Sequence, residues 1–278
     1  MFVKCPINYI GNKYSLMKQL KPLTEKTKET IDLFGGSFTF GINSDSKKLF
    51  YNEYDTKVYE LIKFLCSVEP EQFINEVEHK IKHFGLNKTD KESFKNFRKF
   101  YNESEQTEIN LFILLCFSYN HQIRFNKSGK FNTPHGTGTT HFNKRMKDNF
   151  IRFNQEAKKK QIVFTNLSFE EYEIEKHSKD SLFYCDPPYL ISLATYNEQN
   201  GWNPNKENSL LWFLDKIDSS GRKFALSNVT HHKGKENKLL IDWTAKKDYN
   251  VYTIDKKYRS QKTHHVEGKT QEVLVTNY

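Results

Sequence analysis

No run of eighteen apolar residues occurs anywhere in these 278 residues, so no segment is long enough and apolar enough for a membrane-spanning helix. The amino terminus shows no basic-then-apolar leader pattern, and a cytoplasmic protein of a bacterial or phage-infected cell is expected. Cysteine is scarce. Cys5, Cys66, Cys116 and Cys185 lie far apart among apolar neighbours and form no C-x-x-C pair, so they read as reduced, small core residues. Metal-ligand spacing is also missing, and no metal is expected. His231-His232 and His264-His265 are adjacent pairs whose side chains diverge in a strand and do not chelate from a helix; surface or backbone-bonded roles suit them better. G-x-G-x-x-G is absent, which argues against NAD. No internal repeat, low-complexity linker or tag breaks the chain.

What is present centres on Asp186-Pro187-Pro188-Tyr189, directly behind the apolar run Ser181-Leu182-Phe183-Tyr184-Cys185. At ordinary residue frequencies that tetrapeptide arises by chance in about one chain of this length in a thousand. A strand that stops at a Pro-Pro turn is the plain account of it. The chemistry suggests more. An aromatic amine is a poor nucleophile because its lone pair is conjugated into the ring. The Asp186 carboxylate can accept one of its hydrogens, and a carbonyl fixed by proline, such as that of Pro187, can accept the other. Tyr189 offers a face on which a base can stack, once the base has left its duplex.

Net charge is +9, which suits a polyanionic partner. From His121 to Lys160 there are ten Lys/Arg against two acids, with Phe125, Phe131, Phe142, Phe150 and Phe153 among them. A charge run is usually only a solvated face. Interleaved aromatics favour phosphate contacts combined with base-edge or stacking contacts.

Apolar runs closed by turn residues predict seven strands: Thr30–Phe34, Lys48–Glu53, Ile162–Leu167, Ser181–Asp186, Lys223–Asn228, Asn250–Ile254 and Glu272–Asn277. Helices between several of them imply an α/β sheet. Val58, Leu61, Ile62 and Leu65 predict a helix over Thr56–Cys66. Glu76–Tyr101 is charged and reads as helical, Glu108–Ser118 as an apolar helix, and Tyr119–His141 as a loop-rich basic region. Residues 67–160 therefore read as an insertion within the sheet. Glu53 closes the second strand about twenty residues beyond Asp32, where a mononucleotide-type fold holds a ribose.

The chain resembles the Dam-like, alpha-group adenine DNA methyltransferases, including phage and restriction-associated members. The resemblance runs from Asn8-Tyr9-Ile10-Gly11-Asn12-Lys13 through Asp32-Leu33-Phe34-Gly35-Gly36-Ser37 to Asn52-Glu53. It resumes at Arg124-Phe125-Asn126 and Gly129-Lys130-Phe131-Asn132-Thr133-Pro134-His135-Gly136, and then takes in D-P-P-Y and Glu272-Val273-Leu274-Val275-Thr276-Asn277-Tyr278. It implies a seven-stranded Rossmann-like methyltransferase sheet, built from 1–66 and 161–278, and a mainly helical target-recognition insertion over 67–160 that carries a β-hairpin. S-adenosylmethionine is the implied cosubstrate and double-stranded DNA the partner. A monomer is expected, and restriction-associated relatives admit a companion endonuclease.

The resemblance also implies residue roles. Asp186, Pro187, Pro188 and Tyr189 are catalytic. Tyr9, Gly11 and Lys13 close over the methionine part, with Lys13 a partner for its carboxylate. Asp32 lies near the methionine end, Phe34, Gly35 and Gly36 allow close approach, and Glu53 holds the ribose, where the family more often has Asp. Ser168 and Phe169 flank the adenine. Gln122, Arg124, Asn126, Lys127, Asn132 and Pro134 belong to the hairpin that reads the major groove, where Arg bonds guanine bidentately. Thr137-Gly138-Thr139 stands where GATC readers carry Lys or Arg, so GATC is not assigned. Two other readings stay open: methylation of cytosine, an RNA base or a glutamine, for which S-P-P-Y or N-P-P-Y would be expected, and a non-catalytic DNA-binding protein on this fold.

Overall fold

The computed structural model describes residues 2–191, 201–254 and 270–278. Its strands are β1 Glu29–Asp32, β2 Lys48–Asn52, β3 Gln161–Thr165, β4 Ser181–Cys185, β5 Lys223–His232, β6 Lys235–Glu236, β7 Asn250–Ile254 and β8 Gln271–Thr276. They form one sheet in the order β3-β2-β1-β4-β5-β8-β7, with β6 a short hairpin partner of β5. The first five strands run parallel, and β8 runs antiparallel to both its neighbours. All seven expected strands are present, β5 is longer than expected, and β6 was not foreseen.

Helices cover both faces, so the central strands are buried throughout rather than alternating. Register assigns the faces. Ile31, Phe183, Leu226 and Val275 look toward α8 (Pro204–Ser219) and α9 (Lys238–Lys247). Leu182, Tyr184, Ala225 and Leu274 look toward α1 (Met17–Leu23). On that same side Leu49 and Tyr51 of β2 pack against α3 (Thr56–Ser67). The chain leaves β1 for β2 on one side and later returns to β4 on the other. The crevice beyond the carboxyl ends of β1 and β4 is therefore the topological switch point, where open α/β sheets bind ligands.

Between α3 and β3 lie α4 (Pro70–His83), α5 (Lys91–Glu103), α6 (Glu108–Phe117) and α7 (Lys144–Ala157). The helical stretch expected over Glu76–Tyr101 is in fact two helices. Gly85 turns the chain at φ +64°, the Asn87 carboxamide oxygen accepts the N–H groups of Thr89 and Asp90, and Asp90 caps α5. These helices share one core with α3 and β2.

That core overturns the stacking expectation for the aromatics of the basic stretch. Phe131, Phe150 and Phe153 are at most 1% exposed, and Phe125 and Phe142 pack onto the same core. Phe142, Met146, Phe150, Phe153 and Ala157 recur at helical spacing, so α7 turns its aromatics inward and its cations outward. The four cysteines are buried and unpaired. No helix among the described residues is long and apolar enough to cross a membrane. His231 and His232 bond the Thr230 and Thr270 hydroxyls, while His264-His265 lies outside the described residues.

Candidate active site

Strand periodicity gathers the site. Asp32 pairs with Tyr184 across β1 and β4. Asp186, two residues beyond Tyr184, continues the same face, and so does Glu272, two residues before Leu274 in β8. The amino-terminal segment crosses this face. Tyr9–Asn12 forms a turn, closed by an Asn12 N–H bond to the Tyr9 carbonyl, with Gly11 at φ +82° as the left-handed position requires. The turn delivers Lys13, 3% exposed, onto the acids.

Lys13 Nζ lies 2.5 Å from Asp186 Oδ2 and 3.7 Å from Glu272 Oε1, and it also donates to the Gly11 carbonyl at 2.9 Å. The Tyr189 hydroxyl stands 3.0 Å from Asp186 Oδ1 and 3.1 Å from Glu272 Oε1. Lys13 also sits over the Tyr189 ring, 5.2 Å from its centroid. Lys13 is thus committed to Asp186, and any methionine carboxylate would share it. Burial pushes the Asp186 carboxyl above the usual range, with Lys13 and the Tyr189 hydroxyl opposing and Glu272 adding to the rise.

The crevice floor is built by glycines. A Cβ at Gly35 would stand 2.2 Å from the Tyr51 ring, and one at Gly36 would stand 3.1 Å from Tyr9. Tyr51 donates to the Gly36 carbonyl, which fixes the loop. Glu53 Oε2 accepts the Gly36 N–H and Oε1 the Asp55 N–H, both at 2.8 Å. Burial raises its pKa to about 7 against those two bonds. Asp32 accepts the Gly41 N–H at 2.9 Å; burial, with Asp186 and Glu53 nearby, takes it to about 8. Asp32 therefore braces α2 (Thr39–Ile42) from beneath the crevice.

On the other face, Phe34, Phe169 and Trp202 form an aromatic trio with centroids 5.4 to 5.8 Å apart. Trp202 was missed from sequence. Its indole N–H donates to Glu207, which is fully buried and also receives the side-chain amides of Asn228 and Asn237. Ser168 is nearby for another reason: its hydroxyl accepts the Glu170 N–H, and its own N–H bonds Glu171, capping the turn Phe169–Glu171.

The expected hairpin is formed. Phe125 bridges Phe131, Asn126 N–H bonds the Lys130 carbonyl, and Asn132 N–H bonds the Arg124 carbonyl. Asn126 builds the turn, since its side-chain oxygen accepts from Ser128 and Lys130. Arg124 is exposed but aimed, with Nε 2.8 Å from Asn132 Oδ1. Lys127 and Pro134 are exposed, whereas the Gln122 carbonyl accepts the Thr133 hydroxyl.

The family model of the D12 class N6 adenine-specific DNA methyltransferases matches residues 9–269. The chain is 38% identical over 282 residues to modification methylase StsI of Streptococcus sanguinis. It is 36% identical over 282 residues to type II methyltransferase M.FokI of Planomicrobium okeanokoites. Each of those alignments takes in 100% of this chain and 43% of the relative, so the chain spans less than half the length of these two relatives. A DNA adenine methylase of Vibrio cholerae is 26% identical over 196 residues, covering 69% of this chain and 67% of that protein.

Proposed function

The chain belongs to the D12 class N6 adenine-specific DNA methyltransferases, and we propose that it methylates the exocyclic 6-amino group of an adenine flipped out of duplex DNA. The observation that carries the reading is Asp186, held at the switch point between Lys13 and Tyr189. S-adenosylmethionine, when bound, supplies an electrophilic methyl group beside a positively charged sulfur. The residues present fit it. Gly35 and Gly36 let the Tyr51 and Tyr9 rings close against the loop that floors the crevice, Glu53 is a buried acid suited to ribose hydroxyls, and Phe34, Phe169 and Trp202 form an apolar wall for an adenine.

Asp186 accepts a hydrogen from the target amine and so localises the lone pair on nitrogen. Pro187 and Pro188 fix the backbone, which lowers the reorganisation needed when charge develops. Tyr189 is the stacking surface, its ring held by its hydroxyl. Lys13 keeps Asp186 ionised in a buried setting. Residues 67–160 act as the target-recognition region, with Arg124 at the base-reading hairpin. The protein acts as a monomer in the cytoplasm, and a companion endonuclease is compatible with the modification methylases it is similar to.

The test is transfer of a tritiated methyl group from S-adenosylmethionine to unmethylated duplex DNA, followed by nucleoside analysis. 6-methyladenine is the expected product, and 4-methylcytosine or no product would reject the reading. Asp186→Ala is expected to lose at least about 100-fold in rate while staying folded, the usual scale for one preorganised electrostatic group.

A further inference from the structure

β8 is a buried strand between β5 and β7, and after the exposed Gln271 every residue on it is buried. Glu272, 4% exposed, is its one ionisable residue. A carboxylate is a costly occupant of such a place unless its partners repay the loss of water. Two of those partners are active-site groups: the Tyr189 hydroxyl at 3.1 Å and Lys13 Nζ at 3.7 Å. The same two groups touch Asp186, at 3.0 Å and 2.5 Å. Glu272 thus reaches the reacting centre through both of the side chains that hold the catalytic carboxylate.

We propose that Glu272 is a positioning residue for methyl transfer, fixing the Tyr189 ring by its hydroxyl and drawing part of the Lys13 ammonium away from Asp186. The proposal rests on the methyltransferase reading above. The Tyr189 hydroxyl has one hydrogen for two carboxylates, so its position is determined from both sides and the ring is held as a platform. Lys13 wholly given to Asp186 would compete with the target amine for the lone pairs that the amine needs. A second carboxylate on the far side of Lys13 moderates that competition. Glu272 also adds to the rise of the Asp186 pKa, after the larger effects of burial and Lys13; the other charged and titratable neighbours of Asp186 among the described residues are Lys13, Asp32, Tyr184, Cys185 and Tyr189. Loss of the Glu272 charge favours ionised Asp186, and loss of the Tyr189 hydroxyl favours the protonated form.

Glu272→Gln and Tyr189→Phe are therefore expected to move Asp186 in opposite directions. The experiment follows the Asp186 carboxyl by carbon NMR of aspartate-labelled protein, alongside single-turnover methyl transfer to duplex DNA across pH. Glu272→Gln should keep its thermal midpoint and bind S-adenosylmethionine within about twofold of wild type. Its rate at pH 7.5 should fall about tenfold, and its Asp186 titration and acid limb should move to lower pH. Tyr189→Phe should move both to higher pH, and this arm decides the matter if the Gln variant fails to fold. An unmoved Asp186 titration, or a loss of rate equal at every pH, would overturn the proposal and leave Glu272 a brace. Wild-type protein that shows the coupled titrations but transfers no methyl would instead overturn the methyltransferase reading.

Discussion

Lys13 shows how a single side chain changes meaning once its neighbours are known. Family resemblance links it to a methionine carboxylate, and the fold also sets it against Asp186 and the Gly11 carbonyl. Its removal should therefore act more on rate than on cofactor affinity. Lys13 opposes the burial that raises Asp186, so Lys13→Ala should shift the acid limb of single-turnover methylation to higher pH. The variant is expected to recover part of its deficit at pH 9 relative to pH 6.5, and an equal deficit at both would contradict that role. Glu53 is the proposed affinity residue. Its pKa of about 7 means that half the carboxyl is protonated near neutrality, and donor hydroxyls of a ribose favour the ionised form. Wild-type affinity for S-adenosylmethionine should thus rise between pH 6 and pH 8. Glu53→Gln should bind about 10- to 100-fold more weakly, the scale of one charge-assisted hydrogen bond, and lose most of that pH dependence. Isothermal titration at three pH values measures both effects.

Among the elements, the hairpin at Phe125–Phe131 is the part whose purpose depends most on what it meets. Asn126 is used up in building its turn, whereas Arg124, steered by Asn132, keeps an exposed guanidinium and is the proposed base reader. Arg124→Ala should cost about 1–3 kcal/mol on the cognate site and relax preference at one base pair. Asn132→Ala should give a weaker version of the same change, because it frees the guanidinium without removing it. Methylome sequencing of the three proteins decides this, and an unchanged motif would move specificity elsewhere in 67–160. The sheet itself was readable because buried parallel strands appear as apolar runs, and D-P-P-Y marked the end of β4. The α4–α5 break was missed although Gly85, Asn87 and Asp90 carried its turn signals; the surrounding charge pattern concealed them. Trp202 and Glu272 were not readable as site residues. Each reaches the site only through sheet order, which brings β8 beside β5 and the segment before α8 against Phe34.

For the molecule as a whole, charge is the property that sequence describes and folding redistributes. Asp32 and Glu53 both have raised pKa values, so the native state holds protons that the unfolded chain releases above about pH 4 to 4.5. Their contribution to stability is complete below that range and falls as pH rises through about 7 and 8. A lower thermal midpoint at pH 9 than at pH 6 is expected from this source. The basic stretch from His121 to Lys160 is redistributed too. Lys158 pairs with Glu69 at 2.7 Å, Lys147 pairs with Glu78, Lys159 with Glu156, and Lys160 donates to the Ser44 and Ser46 carbonyls. Lys147, Lys158 and Lys159 thus each face an acid of their own protein, which weakens the field they offer to phosphates. Lys127 and Lys130, at the exposed hairpin tip, have no acid partner among the described residues. Each phosphate contact contributes roughly 0.9 to the slope of log affinity against log salt. Lys127→Ala with Lys130→Ala should therefore flatten that slope by roughly two on every DNA sequence, whereas Lys158→Ala with Lys159→Ala should leave it nearly unchanged. Binding measured from 50 to 300 mM salt separates the two, and a flattened slope in the second pair would mean that the α7 end, not the hairpin, follows the phosphate backbone.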